Sequence, residues 1–165
     1  MAEHHQDGDE NVVDVSIHFS RLNYESATAM FANFSQLRIP SLVDVTYKTY
    51  LREPLIPPQQ NVHTLILYHS EISQAMILSL PSLEHLIFRS DSPLTVKCDS
   101  YKMCRQTLET ILQRSPHLKV VQFDRIKLFG AIALIKHLGV RRVYMTPYVN
   151  VVGYFPEAKF YPLEA

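Results

Sequence analysis

The sequence is short of glycine, with four residues at 8, 130, 139 and 153. Spaced so widely, they cannot build the Gly-rich loop that cradles a phosphate. There is no Trp, and the two cysteines, Cys98 and Cys104, are too few for a disulfide framework and lack a matching pair for a metal site. Charge of one sign is missing too. The 16 Lys and Arg cancel the 16 Asp and Glu, which speaks against holding nucleic acid by bulk charge. The longest apolar runs, such as Leu65–Leu67 and Ala131–Ile135, fall far short of the ~20 residues a membrane span needs. The start, Met1–Asn11, is acidic, carries His4 and His5 and lacks the apolar stretch of a secretory signal. A reduced, soluble protein of the cytoplasm or nucleus is the expectation. No G-x-S-x-G elbow and no H-E-x-x-H motif occurs.

What is present is core-forming material and a period. The chain is 47% hydrophobic and 19% charged over 165 residues, enough to bury a sizeable core. Val62, Leu65 and Leu67 stand at positions 1, 4 and 6 of a short stretch, and Leu83, Leu86 and Phe88 repeat the spacing. So do Leu118, Val121 and Phe123, then Val140, Val143 and Met145. Backwards, the same spacing fits Leu42, Val45 and Tyr47, and Val12, Val15 and Ile17. Six starts at 12, 42, 62, 83, 118 and 140 imply repeated structural units.

Proline punctuates them. Pro40, Pro81 and Pro116 each stand two residues before a first apolar anchor, and Gly139 stands before Val140. Proline cannot continue a helix and biases the residue before it toward extended geometry, so each marks a helix-to-strand transition. Ahead of these breaks, helical spacing of apolar residues predicts helices over Tyr24–Leu37, Ile72–Leu80, Tyr101–Arg114 and Leu128–Leu138. Each unit is then a strand, a turn, a helix and a break, and stacking of neighbours creates the core.

This pattern resembles the leucine-rich repeat, L-x-x-L-x-L-x-x-N/C-x-L, and most nearly the irregular repeats of F-box/leucine-rich-repeat proteins, where P-x-L-x-x-L-x-L starts are common. The Asn/Cys position holds Ser20, Tyr50, Ser70, Asp91, Ile126 and Tyr148 instead, so the asparagine ladder of regular members is not expected. The resemblance implies an α/β fold, a short leucine-rich-repeat-like solenoid (horseshoe) of about six strand–helix repeats with parallel strands. It divides the chain into a polar flexible leader at 1–11, the array at 12–153, and an aromatic tail at 154–165 that caps the array, adds a seventh strand or meets a partner. It also suggests a substrate-recognition adaptor in ubiquitin ligation, although no F-box precedes the first repeat. The rival fold is an ordinary α/β domain wound on a parallel sheet.

Period-2 geometry turns positions 3, 5 and 7 outward. The outward set is Asp14, Ser16, His18; Asp44, Thr46, Lys48; Thr64, Ile66, Tyr68; His85, Ile87, Arg89; Val120, Gln122, Asp124; and Arg142, Tyr144, Thr146. Tyrosine, arginine and apolar groups are the usual anchors of interfaces, which nominates Tyr68, His85, Ile87, Arg89, Arg142 and Tyr144 as a protein-binding surface. Alternatively, a segment such as 51–60 covers Ile66 and Ile87. The insertion Ser90–Lys102 is a second contact candidate, and the proline-rich stretch at 50–60 reads as a spacer. His63, His69, His85 and His117 share no metal spacing, and no metal or cofactor is expected. The expected function is a non-enzymatic module that binds a protein partner, with no small-molecule substrate and no nucleic acid. The alternatives are a structural subunit of a larger assembly and a small α/β enzyme with its site near Cys104 or the Asp14/Asp44 pair.

Overall fold

A computed structural model describes residues 14–18, 21–34, 36–43, 46–47, 56–68, 70, 74–90, 102–129, 132–147 and 150–164. The alternating stretches form strands. Among the described residues the elements run β1 (Asp14–His18), β2 (Arg21–Leu22), α1 (Tyr24–Asn33), β3 (Ile39–Val43), β4 (Thr46–Tyr47), β5 (Thr64–Tyr68) and α2 (Gln74–Leu78). They continue with β6 (His85–Arg89), β7 (Lys102–Cys104), α3 (Arg105–Arg114), β8 (Val120–Asp124), β9 (Lys127–Phe129), β10 (Arg142–Met145), a 3-10 turn (Val152–Tyr154) and β11 (Lys159–Pro162).

The protein is an α/β fold built on a seven-stranded parallel sheet in the order β1-β3-β5-β6-β8-β10-β11. Each long strand therefore lies beside the next long strand in the chain. Two short parallel pairs, β2-β4 and β7-β9, accompany it. In β5, β6 and β8 the burial alternates without a fault, inward residues buried and outward ones half-buried. The anchors at positions 1, 4 and 6 fill the core: Val62, Leu65, Leu67, Leu83, Leu86, Phe88, Leu118, Val121, Phe123, Val140 and Val143 are all buried. Phe88 and Phe123 stack with centroids 5.5 Å apart, and Phe155 from the tail adds to them at 6.3 Å from Phe123.

The backbone repeats with the side chains. The carbonyl of Arg38 accepts from the amides of His63 and Thr64, that of His63 from Glu84 and His85, that of Glu84 from Lys119 and Val120, and that of Lys119 from Arg141 and Arg142. One row of carbonyls thus fixes the starts of the long strands β5, β6, β8 and β10.

The register moves the second repeat start. Leu42 lies beside Leu67 and Pro40 beside Val15, so this unit's anchors are Leu37, Pro40 and Leu42, not Leu42, Val45 and Tyr47. Leu37 and Pro40 are buried. Pro40 sits inside β3, and the pairing of β3 with β5 begins only at Ser41, as expected where the ring removes a ladder donor. Pro81 and Pro116 do lie in turns ahead of strands. With the corrected frame, Val15 to Pro40 and Leu42 to Leu67 are both steps of 25 residues. The short strands pair at the same step, Arg21 with Thr46 and Lys102 with Lys127. The second strand starts seven residues after the first in three units (14 to 21, 39 to 46, 120 to 127) but seventeen after it in the fourth (85 to 102). Ten residues are inserted there, which accounts for the 35-residue step from Leu86 to Val121.

Return segments differ from unit to unit. Helix α1 starts at a capping box: Asn23 Oδ1 accepts from the Ser26 amide at 2.9 Å, and the Asn23 amide donates to Ser26 Oγ at 2.8 Å. It buries Ala27, Met30 and Phe31. Helix α3 starts at Arg105, not at Tyr101, because Lys102–Cys104 pair with Lys127–Phe129 as strands. It buries Leu108, Ile111 and Leu112. The helix expected over Leu128–Leu138 is absent: Lys127–Phe129 is β9, and 132–140 carries no helix. Ile132, Leu134 and Lys136 are exposed while Ala133 and Ile135 are half-buried and His137 is buried. That is the period of an extended chain. Apolar residues on both sides of the segment fit either period, and partners elsewhere decide between them. The Leu134 amide donates to Glu109 Oε1 at 3.0 Å and the His137 amide to the Tyr154 carbonyl at 2.7 Å.

In the proline-rich connection Ile56 is buried, Pro57 and Pro58 are exposed, and the Gln59 amide donates to the Ser79 carbonyl at 2.7 Å. The tail adds the seventh strand and also closes the core, with Tyr154 and Phe155 fully buried.

Candidate functional site

Outward residues of neighbouring strands form rows, because parallel strands in register set equivalent side chains side by side at about 4.8 Å. One row is Asp14, Ile39, Thr64, His85, Val120, Arg142 and Lys159; the next is Ser16, Ser41, Ile66, Ile87, Gln122, Tyr144 and Tyr161. Tyr68, Arg89 and Asp124 continue a third. All six expected anchors therefore lie on one sheet face. His85 and Arg142 flank Val120, Ile87 and Tyr144 flank Gln122, and Tyr68 adjoins Arg89. Ile66 and Ile87 are half-buried, so their outward sides remain accessible among the described residues.

Three expectations about this face change. Thr46 belongs to β4, away from the main sheet, and Ile39 and Ser41 take the places expected of Asp44 and Thr46. Asp14 lies beside Ile39 in register, and Asp44, the other member of the expected pair, lies outside the described residues. Thr146 is buried instead of outward, because β10 ends at Met145 and Thr146 Oγ1 turns to accept from the Arg125 amide at 3.1 Å. Arg125 there has φ 56°, a left-handed conformation uncommon for a residue with a side chain.

Charge borders the face. Lys119 Nζ donates to Glu84 Oε1 at 2.7 Å, and Arg141 lies 3.9 Å from Glu157. The bond from Lys119 holds the Glu84 carboxyl below the usual carboxylate range against a smaller opposing effect of burial, and the Lys119, His63 and His85 charges act in the same direction as the bond. Both partners are substantially exposed, so the pair adds little to stability. Tyr161 stacks on Tyr144 with centroids 5.1 Å apart. Sequence reasoning placed Tyr161 in the tail without its row, since the 17-residue step from Val143 to Phe160 fits none of the earlier intervals.

Nothing in the sequence spacing marks His137. Its Nε2 lies 2.9 Å from the Ser115 carbonyl and its Nδ1 accepts from the Val140 amide at 3.3 Å. The imidazole ties the end of α3 to the start of β10, a structural role. Its crowding explains Gly139: a Cβ there would meet His137 Cε1 at 3.1 Å and the Leu118 carbonyl at 3.3 Å.

Of the enzyme alternative, Cys104 ends β7, immediately before α3. Cys98, the leader at 1–11 and residues 91–101 of the second contact segment lie outside the described residues. Among the described residues no group of three or more His, Cys, Asp and Glu is placed to hold a metal ion, and no helix is long and apolar enough to cross a membrane. No family model, no curated protein and no solved structure matches this chain.

Proposed function

We propose that this chain is a non-enzymatic interaction module that binds a protein partner across the outward face of its parallel sheet. The observation that carries the reading is the half-exposed run of Tyr68, Ile66, Ile87, Arg89, Gln122 and Tyr144 on consecutive strands. Tyrosine, arginine and apolar side chains on a rigid ladder can bury area against a partner with little loss of backbone entropy.

With it goes a finer reading of the fold, a short leucine-rich-repeat-like solenoid. Long strands that follow chain order and the recurrent 25-residue step support it. So does burial: helices α1 and α3 share one core with the inward strand residues, while the outward residues of β5, β6, β8 and β10 stay accessible. A doubly wound sheet would cover both faces. On the same resemblance, the partner is a substrate being carried to ubiquitin ligation.

The test compares capture of a mass-spectrometrically identified partner by the wild-type chain and by Tyr68→Ala with Arg89→Ala. Capture should be lost while the melting transition hardly moves. Undiminished capture, or equal loss of stability, would remove these residues from the interface.

A further inference from the structure

The neutral total hides a division. Residues 119–164 hold seven Lys and Arg against three Asp and Glu, a net +4 that the preceding residues offset. Two of these cations stand on the sheet face. Arg142 of β10 and Lys159 of β11 are register partners, both exposed. Among the described residues neither has an ion-pair partner, while the nearby Lys119 and Arg141 each have one. Like charges directly opposite across two strands repel, so this pair costs the fold something and is relieved when an anion bridges it. In the next row the stacked Tyr144 and Tyr161 continue the same surface.

We infer that an acidic peptide segment of a protein partner lies here, its carboxylates bridging Arg142 and Lys159 and its chain crossing Tyr144 and Tyr161. This rests on the strand-face reading above and names the chemistry that face selects.

Two features favour a peptide on the face over other occupants. The tyrosines stack on each other, so their rings are not held apart to receive bases as in single-strand nucleic-acid sites, and the rows run on into Val120 and Ile87, which suit apolar side chains. The open edge of the sheet is a poor alternative. The Lys159 and Leu163 amides donate inward to the Arg141 and Met145 carbonyls, so the outward-directed positions of β11 are 160 and 162. Pro162 has no N–H to offer an added strand.

A short fluorescein-labelled peptide of alternating Glu and Ser, titrated with the whole chain by fluorescence anisotropy, tests this. Binding should be measurable and should weaken as salt rises from about 50 to about 300 mM, where the screening length shortens. Lys159→Glu should weaken it about tenfold or more, with an unchanged or higher melting temperature, because it turns the repelling pair into an attracting one. Lys136→Glu, the same charge change at an exposed position of the 132–140 segment, should leave binding unchanged. Equal losses in the two variants would mean bulk charge and overturn the site. No binding would overturn the acidic chemistry. So would displacement of the peptide by equimolar inorganic phosphate, or tighter binding of a single-stranded oligonucleotide. The Tyr68→Ala/Arg89→Ala capture experiment is read independently, so the interaction module stands or falls on its own result.

Discussion

The strands and the segments that return from them obey different rules. In β5, β6 and β8 the inward positions are filled by Leu, Val or Phe at the same register, and each is fully buried or nearly so. The returns share no such rule. One is a ten-residue helix with a capped start, α1; another, α2, spans five residues; 132–140 is extended. A strand must match two neighbours at once, since a one-residue slip would turn its apolar set outward. A return segment has only to deliver a few apolar groups and satisfy its own backbone; Leu108, Ile111 and Leu112 supply them from a helix, Ala133 and Ile135 from an extended chain.

The sharpest way to break this contrast is Phe123→Ala. Phe123 is fully buried, lies between Phe88 and Met145 in register, and contacts Phe88 and Phe155. Truncation should cost about 3–5 kcal/mol, read as a lower denaturation midpoint. A cost near 1 kcal/mol would mean that the rows are not what holds the sheet together.

His137→Ala probes the other class. It removes an acceptor from the Val140 amide and a partner from the Ser115 carbonyl, both buried, and should cost about 2–4 kcal/mol. His137→Gln keeps donor and acceptor on one side chain and should recover part of that. A loss as small as that of a surface change would show that 132–140 is held by its main-chain bonds alone.

The same contrast explains what could be read from the sequence. Five of the six units were legible because positions 1, 4 and 6 are apolar in each and a helix or turn separates them; in the first, Val15 and Ile17 take the register places the frame gives them. The unit at β3 was misframed because Pro40 occupies an inward strand position, where proline is read as a break, and Tyr47 then mimics an anchor. The 132–140 segment was illegible for a different reason. Ile132, Leu134 and Leu138 are apolar yet 76%, 67% and 60% exposed, so hydrophobicity did not report which side faces inward. Of the candidate face, alternation alone was enough to put the six nominated residues on one side of the sheet. Tyr161 and Lys159, which complete two rows, were not, because their unit is the shortest and lacks the repeat's first anchor in sequence.

The smallest expected effect separates packing from polarity in a return segment. Tyr154 lies in the connection from β10 to β11, fully buried, and among the described residues its hydroxyl has no hydrogen-bond partner. Burial pushes the phenol above its ordinary value; the nearby Glu109 carboxylate adds to the shift and Arg105 opposes it. A phenol that resists ionisation in the folded state but ionises freely when unfolded contributes stability that is fully present below the unfolded value, near pH 10, and is lost as pH rises through the raised folded value. Tyr154→Phe keeps the ring beside Phe155 and removes the unpartnered hydroxyl. At pH 7 it should be neutral or more stable by about 1 kcal/mol, and between about pH 9 and 11 its urea midpoint should fall less than that of the wild type. Parallel falls in the two proteins would place the alkaline sensitivity elsewhere. A clear destabilisation at pH 7 would mean that the hydroxyl is paired after all, and that this return segment is held by a polar contact as 132–140 is by His137.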